Sequence, residues 1–161
     1  MNAQQLIDKE RRCGWQVLDD KTAYIRRSVD SIAVTGISFK KELHEERHSA
    51  KIPDTDIMKA YKNVPTELFN ITLAHIPQHW NEILNAKKAD LTLSGHVHAM
   101  QMKFPLGKRG VSPSRILYKR WSGLYEEQGR WLNINDGVGC IMYPMRIGTP
   151  PTITQITLHC R

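Results

Sequence analysis

Cysteine is scarce in this sequence. Cys13, Cys140 and Cys160 are odd in number and far apart, which excludes a disulfide framework and the Cys-x-x-Cys pairs of a structural zinc site. Long apolar runs are missing too: no stretch approaches the roughly 18 consecutive apolar residues of a membrane-spanning helix. The opening Met1-Asn2-Ala3-Gln4-Gln5 has neither the basic flank nor the apolar stretch of a signal peptide. A cytoplasmic or peripheral-membrane location is the resulting expectation. No repeat, low-complexity tract or linker divides the 161 residues, so the chain reads as one domain spanning 1–161. Acidic residues are outnumbered, 16 against 23 Lys and Arg, leaving a formal charge of +7. That balance favours phosphate-bearing ligands or an anionic lipid surface. The basic residues are scattered and pairs such as Lys108-Arg109 are too short for a nucleic-acid footprint, so nucleic acid is the least favoured partner.

What is present is a succession of short apolar segments. Asn2 to Arg12 reads as a surface helix closing near Gly14. Trp15–Leu18, Ala23–Arg26 and Ser31–Gly36 read as a short antiparallel meander, with Asp19-Asp20 as a turn. Pro53-Asp54 offers the start of a short helix through Ile57 and Tyr61. Phe69 to His75 then reads as a strand. Pro77 suits a first helical turn, and Trp80, Ile83 and Leu84 form one buried helix face. Leu91-Thr92-Leu93-Ser94 is the next strand. Strand, helix and strand over about 25 residues predict a parallel crossover, whose ligands bind beyond the carboxyl ends of its strands. His75 and His96 fall at those ends. A long connection from Met102 to Gln128 precedes two further strand candidates, Trp131–Asn135 and Thr152–His159, the latter with Thr154, Ile156 and Leu158 on one face.

The seven histidines differ in meaning. His44 and His48 are four apart, as in a helical metal pair, but the surrounding Glu and Arg favour a solvated charged segment. His79 reads as surface or rim, and His159 as incidental. His75, His96 and His98 are different, because an imidazole at the end of an apolar strand is costly to bury unpaired and suits zinc, manganese or iron. Gly95 would let the backbone turn there. On these residues alone, a metal site and an ordinary polar core are evenly balanced.

The segment Ile71-Thr72-Leu73-Ala74-His75-Ile76-Pro77, followed by Ala89 to Gln101 with Ser94-Gly95-His96-Val97-His98, resembles the last two signature blocks of calcineurin-like metallophosphoesterases. Ser122–Tyr125, Leu132–Gly139, Arg146–Pro151 and Ile153–Leu158 are similar to the closing section of the branch containing membrane-associated bacterial phosphodiesterases. Gly14–Leu18 is similar to the segment after that family's third motif. The resemblance implies an α/β layered sandwich, with this chain as the C-terminal half of a four-layer fold: a mixed β-sheet with flanking helices. It also implies a dinuclear site of divalent Mn, Zn or Fe, with His75 and His96 on one metal and His98 on the other, acting on phosphate esters.

The family's upstream ligands come from Asp-x-His, Gly-Asp and Asn-His motifs, and none of the three occurs here. Ile76 stands where an acidic residue is usual, and Ala99 and Met100 stand where two glycines are usual. Weak or absent metal occupancy and an inactive isolated chain are therefore expected. The alternative is a non-enzymatic half-domain that assembles with a complementary N-terminal half or with itself.

Overall fold

A computed structural model describes residues 3–38, 57–107 and 110–159. Helix α1 (Ala3–Arg12) leads into strands β1 (Lys21–Arg27) and β2 (Asp30–Ile37). A 3₁₀ turn, Ile57–Lys59, precedes β3 (Asn70–Ala74). Then come a 3₁₀ turn at Pro77–His79, helix α2 (Trp80–Ala86) and β4 (Leu91–Ser94). A left-handed turn at His98–Gln101, helix α3 (Ser114–Leu117) and strands β5 (Gly123–Glu127) and β6 (Arg130–Ile134) complete the order.

The strands form one six-stranded mixed sheet in the order β1-β2-β3-β4-β6-β5. The inner pairs β2–β3, β3–β4 and β4–β6 are parallel, and the edge strands β1 and β5 pair antiparallel with β2 and β6. The predicted crossover is therefore present, as β3, α2 and β4. Pro77 opens it because its missing N–H is no loss in a first turn, and Lys87 closes α2 in the left-handed conformation at φ +54.

The two sheet faces differ. Ala33, Thr35 and Ile37 share one face in register with Asn70, Thr72 and Ala74, and Leu132 and Ile134 continue it. Trp80, Ile83 and Leu84 of α2 cover this face, with Ile57, Ala60, Tyr61 and Val64, to make the main core. Its polar members form a directed chain. Tyr61 OH pairs with Thr72 Oγ1 at 2.8 Å, and Thr72 donates to Asn70 Oδ1. Asn70 Nδ2 donates to Thr35 Oγ1, which pairs with Thr22 Oγ1 at 2.7 Å, and Thr22 donates to Ala60 O. Burial outweighs the Thr72 bond and pushes the Tyr61 pKa up to about 12. The opposite face carries Ile25, Leu73, Leu124 and Trp131, all exposed.

Three expectations need correction. Trp15–Leu18 is not a strand. It runs beside β2, so close that a β-carbon on Gly36 would stand 2.2 Å from Leu18 O, and the meander reduces to the β1–β2 hairpin. Part of the Met102–Gln128 connection is β5, whose antiparallel pairing with β6 from Gly123↔Ile134 to Glu127↔Arg130 was hidden by the glycine and the two glutamates. Thr152–His159 forms no strand. Its apolar alternation has no sheet neighbour among the described residues, and Ile153, Ile156 and Leu158 are exposed. The Pro53-Asp54 helix start and the His44/His48 pair lie outside the described residues.

Candidate functional site

Parallel pairing puts the ends of β3, β4 and β6 side by side. Gly95 N donates to His75 O at 3.0 Å, and Asn135 N donates to Ser94 O at 2.9 Å. Three short segments thus line one carboxyl edge: His75 after β3, Gly95–Gln101 after β4 and Asn135–Gly137 after β6.

The middle segment is wound against its residue types. Val97 N donates to Gly95 O at 2.7 Å with His96 between them at φ +66, a γ-turn of the rare positive-φ kind. His98, Ala99, Met100 and Gln101 then hold φ of +52, +50, +48 and +55. Side chains in this left-handed region cost about 1–2 kcal/mol per residue, and such strain persists only where surrounding contacts enforce it. Gly95 is not the residue that makes the turn: its φ is not left-handed, and a β-carbon there would meet nothing within 4 Å.

Packing and hydrogen bonds from later in the chain enforce it. Val97 and Ala99 are buried against Trp121 and Tyr118. Ser112 Oγ donates to Ala99 O at 2.6 Å, and Tyr143 OH donates to Met100 O at 2.5 Å. Gln101, 1% exposed, accepts from Ile141 N and donates to Tyr143 O at 3.1 Å and Met145 O at 3.0 Å. It thereby ties the 139–145 loop to the turn. Arg146 adds bonds to Asp136 O at 2.6 Å, Thr149 O at 2.6 Å and Gly139 O.

The rings of His75 and His96 meet edge to face, with centroids 5.1 Å apart. Two imidazoles sharing one tetrahedral ion at about 2.1 Å from each nitrogen would have centroids roughly 5 Å apart, the separation this pair has. His75 is exposed and His96 and His98 are half-buried. The His75 pKa lies below its ordinary value, first through desolvation and then through the nearby His98, which favours the neutral ring a metal requires. Among the described residues, no group of three or more His, Cys, Asp or Glu side chains is arranged to hold a metal ion. The donor set therefore fits a metal in part, through the paired imidazoles of His75 and His96.

His79 is not at a rim. It is 1% exposed, with Nδ1 3.5 Å from Glu82 and Nε2 without a partner. Desolvation lowers its pKa, opposed by Glu82 and by Asp20. His159 is exposed, as an incidental histidine would be. Sequence reasoning gave no role to a second cluster beside the site. Buried Asp136 accepts from Ser122 Oγ at 2.9 Å and lies 3.7 Å from Lys103 Nζ. Lys103 donates to Ser122 at 3.1 Å and sits 5.6 Å from the Trp121 ring. The available signal was Asn135-Asp136-Gly137, a turn-forming triplet at the carboxyl end of a strand.

No helix among the described residues is long and apolar enough to cross a membrane. No protein-family model matches the chain, and no solved structure matches it significantly. The chain is similar to an uncharacterized metallophosphoesterase of Aquifex aeolicus (strain VF5), 28% identical over 155 residues that cover 96% of this chain and 54% of that protein. It is also similar to an uncharacterized metallophosphoesterase of Helicobacter pylori (strain J99), 32% identical over 104 residues, 64% of this chain and 27% of that protein. The chain thus spans about half the length of the first relative and about a quarter of the second, and likeness to proteins named as metallophosphoesterases is what the comparisons establish.

Proposed function

We propose that this chain carries part of a calcineurin-like metal-dependent phosphoesterase site, as the C-terminal half of a layered domain. His75 and His96 would serve one divalent ion and His98 a second, with Mn, Zn and Fe as the candidate metals. The observation that carries this reading is the His75–His96 pair, with rings 5.1 Å apart at the carboxyl ends of adjacent parallel strands. Similarity to two proteins named metallophosphoesterase supports it. When bound, such ions polarise phosphoryl oxygens and acidify water. The chain's own part is to present imidazoles, two of them from a turn whose backbone is locked by Ser112, Tyr143 and Gln101. The substrate class is a phosphate ester, whether phosphodiester, pyrophosphate or phosphomonoester.

The ligand set is incomplete. Zinc sites use three or four protein ligands, whereas the described residues offer one ion two imidazoles and the other one. Weak metal binding and negligible hydrolysis of bis-p-nitrophenyl phosphate with added Mn²⁺ are expected of the purified chain. Robust turnover abolished by His96→Ala would overturn the incomplete-site reading.

A second reading is favoured by one observation, the exposed apolar side chains Ile25, Leu73, Leu124 and Trp131 on a single sheet face. An uncovered apolar sheet face favours association, and the chain would then act as a half-domain that assembles with another chain or with itself. Light scattering coupled to size-exclusion chromatography separates the readings; a well-folded monomer at all concentrations would count against association.

A further inference from the structure

His98 is held from outside its own segment. It begins the left-handed run, at φ +52, and its Nδ1 is buried with no hydrogen-bond partner. The ring rests instead against the backbone of Gly137. A β-carbon on Gly137 would stand 3.0 Å from His98 Cε1, 3.2 Å from Nδ1 and 3.5 Å from Nε2. Those three atoms are the nitrogen-bearing edge of the imidazole, the part that would do any ligation. Gly137 also has φ +77, so two independent features require glycine at this point.

Gly137 cannot easily yield. Its N donates to Asn135 Oδ1 at 2.6 Å, and its O accepts from Thr152 N at 3.0 Å. Between them, Asp136 is held by Ser122 Oγ through its side chain and by Arg146 through its carbonyl. Asn135 is itself fixed by a 2.8 Å bond from its Nδ2 to Thr154 Oγ1.

We propose that the Asn135-Asp136-Gly137 turn positions the His98 imidazole, acting as a β-carbon-free surface, clamped on both sides, that sets the direction of the ring's nitrogen edge. Asn135 and Gly137 are positioning residues, acting through His98. The consequence for metal affinity rests on the reading of His98 as a ligand; the ring placement itself is a property of the metal-free chain, and the two can fail separately.

The test uses the full chain and two readouts: the nuclear Overhauser contact between His98 Hε1 and Gly137 Hα without metal, and the dissociation constant for Mn²⁺. Asn135→Ala leaves the space beside His98 untouched but removes the clamp on Gly137 N. The contact should weaken or vanish, and Mn²⁺ should bind about 10–100-fold more weakly, as for other residues that orient a ligand. Asn135→Asp returns the acceptor and should restore both. Gly137→Ala should displace the ring outright; should it fail to fold, the Asn135 pair carries the test. An unchanged His98 contact in Asn135→Ala, or an equal loss in Asn135→Asp, would overturn the proposal. A displaced ring in a chain whose wild type binds no Mn²⁺ would uphold the positioning role and overturn the ligand reading of His98.

Discussion

The β3–α2–β4 crossover and the Gly95–Gln101 turn that follows it are built on opposite terms. In most of the crossover the residues do what their chemistry prefers, left-handed Lys87 and buried His79 excepted. Branched and apolar residues fill the strands, proline opens the helix, and Trp80, Ile83 and Leu84 fall on one buried face. In the turn, five non-glycine residues hold positive φ, and contacts from Ser112, Tyr143 and the 139–145 loop keep them there. The difference shows where this chain stores strain: at the carboxyl edge of the sheet, around the histidines, bordering a frame with little of it. Rigid elements carrying strained ligand-bearing loops are the usual arrangement of functional sites.

The largest expected effect breaks the frame. Trp80→Ala removes a side chain that is 0% exposed and should cost about 3–5 kcal/mol, read as a fall in the urea midpoint. A smaller loss is expected at the sheet edge. Arg120, 8% exposed, donates to both Glu127 oxygens at 2.5 and 2.6 Å. Glu127→Gln should destabilise by about 1–3 kcal/mol, since a hydrogen bond to a charged group is lost and the guanidinium stays buried.

His79 and Glu127 set a pH dependence. The His79 pKa is lowered chiefly by desolvation, so below the ordinary histidine pKa of about 6.5 the unfolded chain binds the extra proton and stability falls. The Glu127 pKa is lowered chiefly by its bond from Arg120. Its contribution is present above the ordinary glutamate pKa of about 4.3 and is lost as pH falls through the lower folded value. Thermal melts should therefore decline in two steps on acidification, and His79→Leu should shrink the upper step, leaving the share that the lowered His75 pKa contributes.

The smallest effect has the opposite sign. Met100→Gly relieves left-handed strain of about 1–2 kcal/mol against a glycine entropy cost of about 0.5–1 kcal/mol. A net gain of roughly 0.5–1 kcal/mol is expected in chemical denaturation. In α2 the same kind of change, Asn85→Gly, should lose a few tenths of a kcal/mol. A loss at both positions would erase the distinction between the two regions.

The crossover was legible in the sequence because its signals are local: a proline, a three-residue helix face and a four-residue apolar strand. His75 and His96 could be placed at strand ends on the same grounds. The buried state of His79 was not legible, since it depends on a 3₁₀ turn that rotates the residue inward before α2 begins. Nor was β5, whose Gly123-Leu124-Tyr125-Glu126-Glu127 alternates only once β6 lies beside it. The left-handed run was not legible either: Ala99 and Met100 stood out only as replacements of usual glycines, and the contacts that hold the run come from residues 112 and 141–145, far along the chain.

Metal binding by the strand-end histidines is the property on which the proposed site rests. Calorimetric titration of the chain with Mn²⁺ should give weak, saturable binding that drops at least about tenfold in His75→Ala and in His96→Ala and is unmoved in His44→Ala and His48→Ala. Binding indifferent to His75 and His96, or none at all in the wild-type chain, would contradict it.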